Sequence, residues 1–150
     1  MRRVLIASFA TFLLFGIKSC GEPYGAAKDT VEEFLEEVKD KKGQEALRYL
    51  HPTFRDSLAK EVKLPIELTE LKPSQVLACF LSSMGANIDE IKVMEGKPLG
   101  KENAMVKVKV VDGSGIEKLF NFVLIKEGDK WLIVDITPYK PEIKKEQKEK

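Results

Sequence analysis

Apolar and polar positions follow three different rhythms along this chain, and each rhythm predicts a different kind of element. Residues 4–17 form an uncharged, mostly apolar run behind Arg2 and Arg3, interrupted by Ser8, Thr11 and Gly16. A positive start followed by a short apolar stretch is the layout of a signal peptide. A helix crossing a bilayer needs roughly 20 such residues, and this run stops at Lys18, with Gly, Glu and Pro close behind. Further on the period becomes helical. Ala27, Val31, Phe34, Leu35 and Val38 fall on one side of a helix with Glu32, Glu33, Glu36, Glu37 and Lys39 on the other, and the pattern predicts an end near Gly43. Residues 44–50 predict a short second helix through Ala46, Leu47 and Leu50. His51-Pro52 breaks it, because proline disfavours helical geometry in the residue before it. Residues 53–60 add a further turn carrying Phe54 and Leu58, and residues 64–71 suit an extended link or a short strand. Pro73 then starts a helix with Val76, Leu77, Phe80, Leu81 and Met84 on one face, closed by Gly85.

From Ile88 onward the period is two. Ile91 and Val93 flank Lys92, and Val106, Val108 and Val110 alternate with Lys107 and Lys109, as in strands with one wet face. Asp112-Gly113-Ser114-Gly115 and Glu127-Gly128-Asp129-Lys130 read as hairpin turns, so the strands they join are antiparallel. Residues 119–125 break the alternation: they are apolar on both faces except at Asn121, and residues 131–136 nearly so. An antiparallel sheet needs cover on one face only, so apolarity on both requires a second cover.

The leader bears on the compartment and on the cysteines. Ile17-Lys18-Ser19-Cys20-Gly21 resembles a bacterial lipobox, in which cleavage precedes a lipidated cysteine; it departs from the usual pattern at Ile17, where leucine is commonest, and at the charged Lys18. Lipidation at Cys20 is the favoured reading and makes the chain an exported, membrane-anchored lipoprotein facing the periplasm or cell exterior. A single acyl chain anchors only marginally, and the several chains such lipoproteins carry make the attachment stable. Ser19-Cys20-Gly21 also suits ordinary signal-peptide cleavage after Gly21, and an uncleaved short anchor is the third route. The chain has two cysteines. Export puts Cys79 where disulfides persist, yet pairing needs Cys20 to be neither lipidated nor removed. Otherwise Cys79 is a small, partly buried helix residue, with no His or Asp beside it to activate the thiol.

Removing Arg2, Arg3 and Lys18 with the leader turns the net charge of +1 into −2, which leaves no strongly basic balance to suggest nucleic acid. Lys and Glu are abundant and Asn and Gln few, the balance associated with hyperthermophile proteins. His51 is the sole histidine, which leaves the usual zinc site without ligands. The chain has no Gly-rich phosphate loop, Gly-x-Ser-x-Gly elbow, Cys-x-x-Cys or His-Glu-x-x-His. No cofactor is expected. Lys107 and Lys109 on one strand face are ordinary edge charges.

The helical stretch VEEFLEEVKDKKGQEALRYLHPTF resembles the opening of the cystatin-like, nuclear transport factor 2-like superfamily, and GDKWLIVDI is similar to its closing strand, where a Gly-Asp turn delivers a tryptophan to the core. The resemblance extends over residues 24–136, and a lipobox ahead of such a domain makes the chain look most like short bacterial lipoproteins of that superfamily. It implies an α+β fold in which N-terminal helices pack on a curved antiparallel sheet of about four strands, a cone with a pocket at its mouth. The expected organisation is a signal peptide over residues 1–21, the domain over residues 22–137 and a charged tail over residues 138–150. On the family pattern the convex sheet face meets a second copy through Leu119, Val123 and Ile125; the other reading has neighbouring side chains and the tail shield that strand. Enzymes of the superfamily place acid, base and Tyr or His groups inside the cone. The polar residues here that suit such a position are Tyr49, His51, Asp89, Asn121 and Asp135, and the first four have an ordinary reading beside them: a packed ring, a solvated or capping residue at a helix end, a turn, a satisfied amide. Phe54, Phe80, Phe120, Asn121, Phe122 and Trp131 are the candidate pocket residues. The function expected is non-enzymatic capture of a small apolar ligand or docking of an envelope protein. The alternative is an isomerase- or dehydratase-like enzyme using Asp89 or His51 with Tyr49.

Overall fold

A computed structural model describes residues 24–62 and 70–139. The leader with Cys20, residues 63–69 of the ambiguous link and residues 140–150 of the tail lie outside the described residues. Among the described residues, four helices precede a four-stranded antiparallel sheet: α1 (Gly25–Lys39), α2 (Gly43–Ala46, continued as a 3-10 turn over Leu47–Tyr49), α3 (Pro52–Glu61) and α4 (Pro73–Gly85), then β1 (Ile88–Pro98), β2 (Asn103–Asp112), β3 (Glu117–Glu127) and β4 (Lys130–Pro138). The strands lie side by side in chain order, each paired with the next by a hairpin.

Helix α1 forms where the periodicity puts it and buries the five residues of its apolar stripe, Ala27, Val31, Phe34, Leu35 and Val38. It ends at Lys39 rather than near Gly43. The reversal falls on Lys41, whose φ is +62°, and Gly43 instead opens α2. Its lack of a side chain serves a contact: a Cβ there would lie 1.9 Å from the Ala78 carbonyl oxygen of α4. The Gly43 N–H donates to Ser82 Oγ at 2.9 Å, which ties the start of α2 to the same helix. Gly85 meets α1 in the same way, 1.9 Å separating its ideal Cβ from the Val38 carbonyl oxygen. Two glycines thus let three helices approach backbone to backbone. At the start of α4, Gln75 Oε1 accepts from the Lys72 N–H at 2.9 Å, satisfying one orphan donor ahead of Pro73.

The sheet is curved, and its bulges give the bend a local cause. Register shifts fall between Ile88 and Glu90, between Val93 and Gly96, and between Val123 and Leu124; an extra residue on one strand bends it and increases its twist. The concave face carries Ala104, Val106, Val108, Phe122, Leu124 and Ile133, which bury against α1, α2 and α4 in one core. Phe122 meets Phe34 of α1 edge to face, ring centres 6.2 Å apart at 64°. The outer edge of β4 is covered by the chain ahead of α3: Leu50 forms a parallel bridge with Ile133, and the His51 N–H donates to the Ile133 carbonyl at 2.8 Å. That bridge occupies backbone groups an exposed edge would leave open to another chain.

Candidate functional site

Between the helices and one end of the concave face lies a cavity of about 760 Å³, well within the range of small-molecule sites. Phe34, Leu35 and Val38 of α1, Leu77, Phe80 and Leu81 of α4, and Leu58 and Val62 at the end of α3 supply its helical wall. Val110, Phe120, Phe122 and Ile136 supply the sheet wall. Period-two alternation explains the β3 contribution: Lys118, Phe120 and Phe122 point to one face while Leu119, Asn121 and Val123 point to the other. The rim is formed by Asn87 ahead of β1 and by the β2–β3 turn with Asp112, Gly113 and Ser114. Phe80 and Met84 are also at this end of α4, 37% and 43% exposed.

Among the described residues, Asp112 and Lys118 are the ionisable side chains that line the cavity. Asp112 Oδ1 accepts from Ser114 Oγ at 2.6 Å, from the Ser114 N–H at 2.9 Å and from the Ile116 N–H at 3.0 Å. The Ser114 hydroxyl bond, followed by the Ile116 amide, holds this carboxyl below its usual range. Its task is to close the turn, and a carboxylate already held this way makes a poor general base. No group of three or more His, Cys, Asp or Glu that would hold a metal occurs among the described residues.

The residues singled out from sequence separate. Phe80, Phe120 and Phe122 line the cavity, whereas Phe54, Asn121 and Trp131 are not among its lining. Phe54 packs on the core from α3, and Trp131 is buried beside the β3–β4 turn. Asn121 stands on the convex face, paired with Lys107 on β2 and Thr137 on β4, its Oδ1 buried without a hydrogen-bond partner. Beside it, Lys107 Nζ sits 4.8 Å from the centre of the Tyr139 ring, and Leu119, Val123 and Ile125 on the same face are half-buried.

Tyr49, His51 and Asp89 do not converge. Tyr49 Oη accepts from Arg48 Nη2 at 2.7 Å in an open depression shared with Glu32, Glu33, Glu36 and Glu37, on the side of α1 turned away from the core. This hydrogen bond raises the Arg48 pKa from its already high ordinary value. His51 caps α3: its Nδ1 accepts from the Thr53 N–H at 3.3 Å, so its Nε2–H donates to Glu127 Oε1 at 2.9 Å. Asp89 is exposed in the bulge at the start of β1. That strand end pairs through β2 with the start of β3, while Glu127 is the last of the eleven residues of β3. At about 3.3 Å per residue, His51 and Asp89 sit at ends of the sheet roughly 30 Å apart. Asp135 is exposed and accepts from the Ile136 N–H at 2.9 Å. Cys79 is exposed on α4 rather than partly buried, because it follows Leu77 and Ala78 onto the outer side of the helix. Among the described residues no helix is long and apolar enough to cross a membrane.

Helices laid over a curved four-stranded meander, with an apolar cavity between them, define the nuclear transport factor 2-like cone fold. A solved structure agrees. A designed NTF2 protein aligns at a TM-score of 0.52 with 15% identity, covering 79% of this chain and all of that one. An NTF2-like transpeptidase from Campylobacter jejuni aligns at 0.47 with 19% identity, covering 73% of this chain and 97% of that one. Within this fold the chain belongs to the family described as a domain of unknown function, DUF4878, whose model matches residues 18–134. A protein of Aquifex aeolicus (strain VF5), itself described as uncharacterized, is 50% identical over 140 residues, spanning 93% of this chain and 94% of its own length.

Proposed function

We propose that this chain is an exported, lipid-anchored binding protein of the bacterial envelope that captures a small apolar ligand without chemically altering it. One observation carries the ligand reading: a cavity of about 760 Å³ whose walls are aliphatic and aromatic and whose polar groups are confined to the rim. An enzyme of this fold needs an acid and a base brought together, and Tyr49, His51 and Asp89 stand apart, each held by or left to another task. The anchor reading rests on the leader, with its positive start, short apolar run and Cys20 in a lipobox-like setting.

Native mass spectrometry of the protein extracted from the membranes of a bacterial host tests both halves. The expected mass begins at Cys20, carries lipid, and includes an apolar adduct. Filling the cavity with Val110→Phe displaces that adduct. A lipid-free chain beginning after Gly21 overturns the anchor, and absence of both adduct and uptake of added apolar compounds overturns the capture reading. The same spectrum tests, as a doubled mass, the second copy expected on the convex face. Turnover of small ketones or hydroxy compounds, abolished by His51→Ala or Asp89→Asn, would replace this function with the isomerase- or dehydratase-like one.

A further inference from the structure

The cavity is polar at one end only, and a single strand shows the gradient. On β3, Lys118, Phe120 and Phe122 face the cavity in sequence, and on β2 their register partners are Val110 and the fully buried Val108 and Val106, with Asp112 beyond Val110 at the end of the strand. Phe122 is 2% exposed, while Lys118 is at the solvent end. The distance along the strand from Lys118 to Phe122 is about 14 Å, four residues at about 3.4 Å each. A ligand occupying this row meets a cation at one end and hydrocarbon over the rest.

The two rim charges are not equivalent. Asp112 Oδ1 is occupied by three donors from its own turn. Lys118 makes no hydrogen bond or salt bridge among the described residues, in contrast to Lys109, whose ammonium lies 3.0 Å from Glu117 Oε1. Lys118 does feel the Asp112 charge and stabilises its ionised form, but that carboxylate is already answered by the turn. Asp89 and Glu90, at the start of the neighbouring β1, are exposed and outside the lining. Among the described residues of the lining, Lys118 is therefore the one charged group without a hydrogen-bond or ion-pair partner, and it is positive.

We infer that the cavity takes a single-chain amphiphile with an anionic oxygen head group, the head held at Lys118 and the chain running past Phe120 to Phe122. This deepens the apolar-ligand reading and rests on it. A carboxylate and a phosphate monoester share the chemistry required, since both offer charged oxygens to an ammonium. The chain supplies affinity through burial and the head fixes direction.

The test uses the processed protein isolated from a bacterial host and held in nanodiscs, with probes of one chain length read by native mass spectrometry. Dodecanoate, dodecanol and dodecyltrimethylammonium differ only at the head. The wild type is expected to hold dodecanoate about fivefold more tightly than dodecanol, the worth of one partly exposed ion pair, and the ammonium most weakly. Lys118→Met, at an exposed position, should bring dodecanoate and dodecanol level, and Lys118→Glu should reverse the order in favour of the ammonium. Adding dodecyl phosphate separates the sources: whichever of phosphate and carboxylate binds better identifies the head, and either ranking upholds the anionic site. Equal binding of dodecanoate and dodecanol by the wild type, or a carboxylate preference that survives Lys118→Met, overturns the assignment while leaving apolar capture intact. Failure of every probe to bind the wild type overturns the capture reading itself.

Discussion

Gly43→Ala adds one methyl group where α2 meets α4, and the geometry sets its effect. The new Cβ would lie 1.9 Å from the Ala78 carbonyl oxygen, 2.6 Å from Ser82 Oγ and 2.8 Å from the Ala78 carbonyl carbon. The Ser82 side chain can turn, but the Ala78 carbonyl is locked in the helix ladder, so the helices must separate by about 1.5 Å to reach ordinary contact. That shift also stretches the 2.9 Å hydrogen bond from the Gly43 N–H to Ser82 Oγ. Overpacking a fitted site costs about 1–3 kcal/mol, and a clash with backbone belongs at the upper end. The intrinsic preference of helices for alanine returns less than about 1 kcal/mol. A net loss of about 2–3 kcal/mol corresponds to a Tm lower by roughly 10 °C in a domain of this size. Gly128→Ala is the comparison: its φ is +59° with nothing within 4 Å of the added Cβ, so it bears only backbone strain of about 1 kcal/mol. Urea unfolding of the two variants beside the wild type, at unchanged m value, separates crowding from strain. Should Gly43→Ala prove no more destabilising than Gly128→Ala, the close approach of α2 to α4 is wrong.

Phe122→Ala removes a side chain 2% exposed together with its edge-to-face contact with Phe34; a loss of about 3–5 kcal/mol is expected in chemical denaturation, and a loss below about 1 kcal/mol would contradict a close-packed β3. Asn121→Leu replaces an amide whose Oδ1 is buried without a partner, so unfolding should show stability unchanged or raised by up to about 1 kcal/mol; a clear loss would mean that the amide is satisfied after all. The Asp112 carboxyl is held below its ordinary 3.8 by the Ser114 and Ile116 bonds, so its stabilisation is whole above that pH and fades as pH falls through the lowered value. Thermal melts from pH 6 to pH 2 should then show Asp112→Asn less stable than wild type at pH 6 and converging with it at the acid end, and a constant gap would refute the assignment.

Elements governed by one local rule were legible in the chain. The stripe of α1 is buried at all five positions its spacing marks, and the turns at Asp112 and Gly128 connect the strands whose alternation flanks them. The same rule applied to Asn121 places it opposite Phe120 and Phe122, out of the cavity; grouping it with them followed polarity rather than period. Gly43 was readable as a glycine that ends something, yet its role is a contact with Ala78, thirty-five residues away in sequence, and nothing local reveals such a partner. The cavity was least legible. Its walls come from three helices and all four strands, and whether a given Phe faces it depends on how those elements stack: Phe80 does so while Phe54, on the neighbouring helix, packs elsewhere. Lys118 carried a usable signal, a lone charge in step with Phe120 and Phe122 at the end of an apolar strand.

The order of elements has a consequence for the growing chain. The four helices among the described residues all precede the sheet that covers the apolar stripe of α1, so on the ribosome Val31, Phe34, Leu35 and Val38 emerge before the strands they pack against. The bridge from Leu50 to Ile133 closes only once the last strand has been made. Each hairpin can zip locally as it appears, but the helical layer has to wait for the sheet. Nascent chains ending before β4 should therefore remain open to proteases and chaperones, and folding becomes an event at the end of synthesis rather than a gradual accumulation of structure.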